Sequence, residues 1–177
     1  MSIAFFHEAP DPTWPRYSAT SFPSYRFHPG QTAHPRRDPN GHSYGLPEPH
    51  VQAFSEAEWA QSTLYLLGID LYNFAYWWES HEVFEALWHA AGTRTPLGLF
   101  LQALIQLAAG NLKEGMGGTS AAHRLWGRAV SRLETYPNGY LGVEVPTFCA
   151  NVRAHIDGTC RLPALIRLAY PAHDGRP

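Results

Sequence analysis

The stretch that decides the fold is YNFAYWWESHEVFEALWHAAGTRTPLGLFLQALIQLAAGNLK, residues 72–113. Its first half carries apolar residues at helical spacing and ends at Gly92, which favours a helix over 76–91. A proline that follows Thr95 stands where helices favour proline, so a further helix is predicted over 96–114. The turn between them is short, and this makes the two helices antiparallel neighbours.

Helical patterns flank this pair on both sides. The SEAE motif that begins at Ser55 matches a capping box, and a first helix is therefore predicted from Ser55 to about Leu71. Downstream, the pattern predicts a fourth helix over 120–134 and a fifth over 146–156. The predicted fold class is all-α, a compact antiparallel bundle of about five helices.

The first 54 residues have a different composition. Nine of the chain's 15 prolines fall within the first 50 residues, and proline disrupts both helices and central strands. The same stretch is rich in aromatic side chains, which gain about 1.5–3 kcal/mol each when buried. We predict a largely irregular arm over 1–54 that wraps on a bundle domain over 55–158, with a tail over 159–177. An arm that docks on a partner is the alternative.

Composition and charge exclude several classes of protein. A net charge of −2 gives no reason to expect nucleic-acid binding, and two cysteines cannot build a disulfide scaffold. The N-terminus lacks a basic region before its short apolar patch, so no secretory signal is expected. The longest apolar run, 97–112, is shorter than the roughly 20 residues that a bilayer span needs. We expect a cytoplasmic protein without a membrane span.

Polar side chains interrupt the two central helices. On a helical wheel, His81 and Glu85 lie one turn apart at the edge of the apolar sector of the second helix. Gln102, Gln106 and Lys113 form a narrow stripe on the otherwise apolar third helix. Because an unpaired buried polar group costs about 1–3 kcal/mol, we expect the second helix to face this stripe, with Lys113 beside Glu85.

We therefore predict a polar site between the second and third helices that binds a small ligand or a divalent metal ion. Its candidate residues are Glu79, His81, Glu82, Glu85, Trp88, Gln102, Gln106 and Lys113. Of these, His81 and Glu85 have the i, i+4 spacing of metal ligands. The simpler interpretation is a polar network that satisfies itself and fixes the register of the helices.

The segment HEVFE at 81–85 is similar to the metalloprotease motif H-E-x-x-H, but Glu85 replaces the second histidine. A metal-dependent hydrolase with Glu82 or Glu85 as the general base is therefore kept as an alternative function. A buried Lys113 acting as a base or nucleophile is another.

The arm contains a second group of candidate metal ligands. His34, Asp38 and His42 lie on a turn-rich segment, where the DPNG sequence predicts a tight turn that brings them together. The simpler interpretation is that these polar groups bond to turn backbone. A combined site, with the arm folded over His81 and Glu85, is the sharper hypothesis.

The segment LYNFAYWWESHEVFEALW followed by LQALIQLAAGNLK resembles the bacterial and archaeal family called domain of unknown function 309. The shared features are an F/Y-N turn, a Y/W-W/F-E-A-H-E-x-x-E-x-x-W helix and an L-Q-x-L-I-Q-x-A-A helix. The matching positions here are Asn73, Trp78, Glu79, His81, Glu82, Glu85, Trp88, Gln102, Ile105, Gln106 and Ala109. The resemblance covers about 64–135 and implies a small helical bundle, but it brings no activity. Ser80 departs from the usual alanine.

Three functions follow from these observations as hypotheses. The first is a binding or accessory module with a polar site for a small ligand or metal. The second is the metal-dependent hydrolase. The third is a structural subunit that docks on a protein partner through its aromatic arm, and a homo-oligomer is a further arrangement that the sequence allows.

Overall fold

The computed structural model describes residues 8–47 and 51–170. These residues form helices α1 (Thr63–Asn73), α2 (Trp77–Ala91), α3 (Pro96–Gly115), α4 (Thr119–Leu133) and α5 (Val145–Ile156). Short 3₁₀ helices, Glu56–Gln61 and Tyr140–Gly142, precede α1 and α5. The predicted all-α bundle is therefore confirmed.

The boundary between α2 and α3 lies where the local sequence signals place it. Gly92 follows α2 with a φ of 87°, a left-handed conformation that glycine adopts without strain. Thr95 caps α3, because its side-chain oxygen accepts a hydrogen bond from the N–H of Gly98 at 3.0 Å. The proline after Thr95 occupies the first turn of α3.

The start of α1 differs from the prediction. Ser55 makes no side-chain capping bond, and the residues after it form the short 3₁₀ helix instead of the first turns of α1. Ser62 is the true cap, since its side chain accepts from the N–H of Tyr65 at 3.3 Å. Trp59 is buried against Tyr65 and Tyr170, so tertiary packing outweighs the capping-box pattern here.

Helix α3 lies in the middle of the bundle and packs against both α2 and α4. Its largest fully buried side chains are Phe100, Leu101, Leu104 and Leu107. Close approach to α4 depends on Gly110, because a Cβ atom there would overlap the indole ring of Trp126. None of the helices in the described ranges is long and apolar enough to cross a membrane.

The described part of the arm is attached to α1 by a buried carboxylate. Asp70, fully buried in α1, accepts hydrogen bonds from the side chain of Arg16 at 2.9 Å and from the N–H groups of Tyr17 and Ser18, both at 2.8 Å. These three partners of Asp70 all come from the arm.

The C-terminal segment packs on the same side of the bundle. Asn73 holds it through two hydrogen bonds, one to the carbonyl and one from the N–H of Ile166, at 2.8 and 2.7 Å. Arm and tail also contact each other, since the indole N–H of Trp14 donates to the Ile166 carbonyl at 3.1 Å. Tyr17 accepts from the N–H of Leu168 at 3.0 Å. Two residues in the last turn of α1, Asp70 and Asn73, therefore hold the arm and the C-terminal segment.

Candidate ligand-binding site

A cavity of about 630 Å³ lies between the arm, α1 and α2. Its apolar wall consists of Phe22, Pro23, Val51, Leu64, Leu67, Leu71, Trp78, Val83 and Ala86. Its polar wall consists of Ser21, Arg36, His42, Ser43, Glu79, Glu82, Glu85 and His89. The volume lies in the range of small-molecule sites, although the wall has nearly as many polar as apolar residues.

The cavity wall follows from helix periodicity. On α1, Leu64, Leu67 and Leu71 are spaced so that they share one face. On α2, Glu79 and Glu82 share the face that looks into the cavity, while Phe84 and Leu87 on the other side are buried in the bundle. The arm then covers the groove between the two helices.

Glu79 is the most deeply buried carboxylate of the cavity, with a side chain only 5% exposed. Its Oε1 accepts hydrogen bonds from the N–H of Phe27 at 2.8 Å and from Nε2 of His42 at 3.1 Å. Its Oε2 is buried and has no hydrogen-bond partner among the residues that the structure describes. Burial raises the pKa of Glu79, and hydrogen bonds from its own backbone N–H, from His42 and from Phe27 offset only part of this effect.

His42 connects the arm to this carboxylate. Its side chain is 7% exposed, and its Nδ1 lies 2.8 Å from the Ser43 hydroxyl. Because a carboxylate oxygen can only accept unless it is protonated, the Nε2 that faces Glu79 carries a hydrogen. The ring of Tyr25 packs on the imidazole at a centroid distance of 4.7 Å. His42 is thus fixed on three sides and orients Glu79.

A cluster of possible metal ligands lies on the neighbouring surface of α2. His81 Nδ1 is 3.4 Å from an oxygen of Glu82 and 4.0 Å from an oxygen of Glu85. One ligand atom from each of the three residues lies within 4.8 Å of the others. His81 Nδ1 is also buried without a hydrogen-bond partner in the described part of the chain. These three half-buried residues could hold a divalent cation.

The structure separates the predicted site residues onto different faces. Glu79, Glu82 and Glu85 line the cavity, and His81 adjoins it through the cluster just described. The predicted residues Trp88, Gln102, Gln106 and Lys113 do not contribute to the cavity wall.

The stripe on α3 is not faced by α2 as expected. Gln102 accepts a hydrogen bond from Arg132 of α4. Gln106 Oε1 is buried and has no partner among the described residues, and the same holds for the indole N–H of Trp88. Lys113 is exposed rather than buried, so the expected pairing with Glu85 is wrong. The physical reason is the difference in helix length. Helix α2 has 15 residues and runs antiparallel to α3, so Lys113, the eighteenth residue of α3, lies beyond the start of α2.

The structure does not bring the arm's candidate metal ligands together. His34 Nδ1 accepts from the backbone N–H groups of Arg36 and Arg37 at 3.2 and 3.3 Å. Asp38 accepts from the backbone N–H of Asn40 at 2.9 Å, within the predicted turn. Since His42 bonds to Glu79, the simpler interpretation accounts for His34 and Asp38, and the metal hypothesis for this group is corrected.

Comparison with protein families agrees with the resemblance seen in the sequence. Residues 65–125 match the model of the family described as domain of unknown function (DUF309). This segment is similar to the DUF309 family. The DUF309 match includes α2, α3, most of α1 and the beginning of α4, and so it contains Glu79, Glu82 and Glu85. The arm that closes the cavity lies outside the DUF309 match. A search of curated proteins found no match to the chain.

Several cavity residues escaped the sequence-based prediction. Phe22 and Arg36 come from the irregular arm, where no periodic pattern indicates which side chains point inward. Leu64, Leu67 and Leu71 had a usable signal, because their spacing marks one face of α1. That signal was hidden by an α1 sequence that is apolar nearly all round.

Proposed function

We propose that the chain is a small-molecule-binding protein whose ligand occupies the cavity between the arm, α1 and α2. The observation that carries this proposal is the cavity itself, about 630 Å³ in volume, which the arm closes over the groove between α1 and α2. This volume lies in the range of small-molecule sites in proteins.

The composition of the cavity wall supports the same function. Apolar side chains of α1 and the arm offer a surface for the body of a ligand, and the carboxylates of α2 offer a few orienting polar groups. Such an arrangement gives affinity through apolar burial and selectivity through a small number of polar contacts. A network that only fixes helix register would need no cavity of this size.

A fragment screen monitored by thermal shift tests this proposal. Hits that bind in the cavity should lose at least tenfold in affinity when Leu67 is replaced by tryptophan, which fills part of the space. The matched control is Ile105→Trp, a half-buried aliphatic position on α3 outside the cavity wall. If Leu67→Trp folds and binds every hit as the wild type does, the cavity is not the site.

A divalent metal site at His81, Glu82 and Glu85 is a second candidate function. Ligands bound at about 2.0–2.1 Å to a tetrahedral zinc ion lie about 3.3 Å apart, close to the 3.4 Å between His81 and Glu82. Small rotations of these half-buried side chains would bring Glu85 to the same ion. Titration with Zn²⁺ should show stoichiometric binding that His81→Ala abolishes and His123→Ala, on the exposed side of α4, preserves. Equal Zn²⁺ binding by both variants would contradict the site.

The remaining alternatives have less support. If Glu82 and Glu85 are metal ligands, neither is free to act as the general base that the hydrolase hypothesis requires. The arm-docking hypothesis needs aromatic side chains that are free to contact a partner. Within 8–47, Phe22 stacks on Tyr76 of the same chain at a centroid distance of 4.9 Å, whereas Tyr44 is 51% exposed.

A further inference from the structure

We propose that the cavity also catalyses the hydrolysis of small, uncharged carboxylic esters, with Ser43 as the nucleophile, His42 as its general base and Glu79 as the residue that positions His42. This inference rests on the proposed function, because it needs a ligand in the same cavity. It goes beyond that function by assigning a reaction to the ligand.

The three side chains form a continuous chain of hydrogen bonds. The Ser43 hydroxyl lies 2.8 Å from Nδ1 of His42, and Nε2 of the same imidazole lies 3.1 Å from Oε1 of Glu79. All three residues line the cavity. A nucleophile within hydrogen-bond reach of a base, which a third group orients in turn, is the arrangement that activates a serine hydroxyl for acyl transfer.

The bond to Glu79 determines which nitrogen of His42 acts as the base. Since the hydrogen of the neutral imidazole is on Nε2, facing the carboxylate, Nδ1 keeps its lone pair and accepts the hydrogen of the Ser43 hydroxyl. The carboxylate also stabilises the imidazolium that forms when Nδ1 takes this proton. Glu79 is therefore a positioning residue that takes no proton in the reaction.

The loop that carries Ser43 and His42 is held in one conformation. The N–H of Ser43 donates to the Pro35 carbonyl at 3.0 Å, and the N–H of His42 donates to the Tyr25 hydroxyl at 3.2 Å. A side chain at Gly41 is excluded, because a Cβ atom there would overlap the Pro35 carbonyl. The nucleophile and the base are thus placed before a substrate enters, which lowers the entropic cost of reaching the reactive geometry.

The rest of the cavity wall indicates an uncharged ester. Leu67 and Leu71 offer apolar surface for the acyl chain. Arg36 follows Pro35, the backbone partner of Ser43, and lines the same cavity, so its positive charge can stabilise the oxyanion of an attacked carbonyl. Acidic and basic side chains are both present in the wall, and neither sign of charge on a substrate is therefore favoured.

The reaction consumes one ester and one water molecule. The Ser43 oxygen bonds to the carbonyl carbon while its proton moves to Nδ1 of His42. The bond from that carbon to the alcohol oxygen then breaks, and the alcohol leaves with this proton. Water attacks the acyl-serine and gives one proton to Nδ1, and Ser43 takes that proton back as the bond from its oxygen to the carbon breaks. The products are an alcohol and a carboxylic acid.

Labelling with diisopropyl fluorophosphate tests the nucleophile in the wild-type protein, without a substitution that could disturb folding. We expect one covalent adduct, which peptide mass spectrometry locates on Ser43 and not on Ser24, an exposed serine of the arm outside the cavity wall. A Ser43 hydroxyl that only fixes the His42 ring would give no adduct. An absence of the adduct, or an adduct on another residue alone, overturns the proposal.

Hydrolysis of p-nitrophenyl butyrate tests the base and its positioning. Ser43→Ala and His42→Gln should each lower kcat/KM by about 100-fold or more, whereas the matched control Ser24→Ala should leave it unchanged. Glu79→Gln should lower kcat by about tenfold or more and change KM by less than about twofold, because it acts through His42 and not on the ester. Hydrolysis by Ser43→Ala at the wild-type rate overturns the proposal. The proposed function fails separately, when the Leu67→Trp variant binds every hit of the fragment screen normally.

Discussion

Replacing Asp70 with asparagine is expected to destabilise the attachment of the arm to α1 without creating a cavity. The two Asp70 oxygens accept three hydrogen bonds, from Arg16 Nε and from the N–H groups of Tyr17 and Ser18. Asparagine keeps one acceptor and turns an N–H group toward one or more of these donors. Hydrogen bonds to a charged group contribute about 1.5–3 kcal/mol each, and breaking a buried ion pair costs about 3–5 kcal/mol. We therefore expect a loss of about 3–5 kcal/mol.

Thermal unfolding followed by circular dichroism measures this loss. At about 2–4 °C per kcal/mol for a chain of this size, the melting temperature should fall by roughly 6–20 °C. The control is Asp11→Asn, since among the described residues that carboxylate bonds only to Thr13, two residues away at the exposed surface. The reasoning would be refuted if the free energy of unfolding of Asp70→Asn fell by less than about 1 kcal/mol and the arm stayed resistant to limited proteolysis.

Three further predictions concern the bundle. Gly110→Ala should cost about 1–3 kcal/mol in urea unfolding, because the added methyl overlaps Trp126; an unchanged midpoint would argue against this packing. Burial alone would lower the pKa of His155, but the bond to Glu114 raises it above 6.5. Protonated His155 therefore stabilises the fold fully below that pH, and this contribution is lost as pH rises through the raised pKa. The melting temperature of His155→Gln should accordingly lie well below that of the wild type in acidic buffer and closer to it in alkaline buffer. A constant deficit would contradict this. Burial raises the pKa of the Cys149 thiol to about 11, so iodoacetamide should label it far more slowly than the exposed second cysteine. Equal labelling rates would show that the thiol is accessible.

The helices α2 and α3 could be predicted because their signals are local. Gly92 and Thr95 act through their own backbone conformation and capping bond, which neighbouring residues do not alter. The start of α1 could not be predicted in the same way. The SEAE motif at Ser55 is also local, but burial of Trp59 favours a 3₁₀ helix there, and Ser62 caps α1 instead.

The site was harder to predict because a helical wheel gives direction but not position along the axis. Gln106 and Lys113 share a stripe, yet seven residues separate them by about 10 Å along α3. The wheel also cannot tell which neighbour faces a side chain, and Gln102 bonds to α4 rather than α2. Glu79 was identified from the sequence, but its partners His42 and Phe27 come from an arm without any periodic pattern.

A crystal structure of the protein with the tightest-binding hit of the fragment screen tests the central claim most directly, because it locates the ligand. The account predicts the ligand between the arm, α1 and α2, in contact with Leu67. A hit bound instead on the opposite face of α2, beside Trp88 and Gln106, would contradict it.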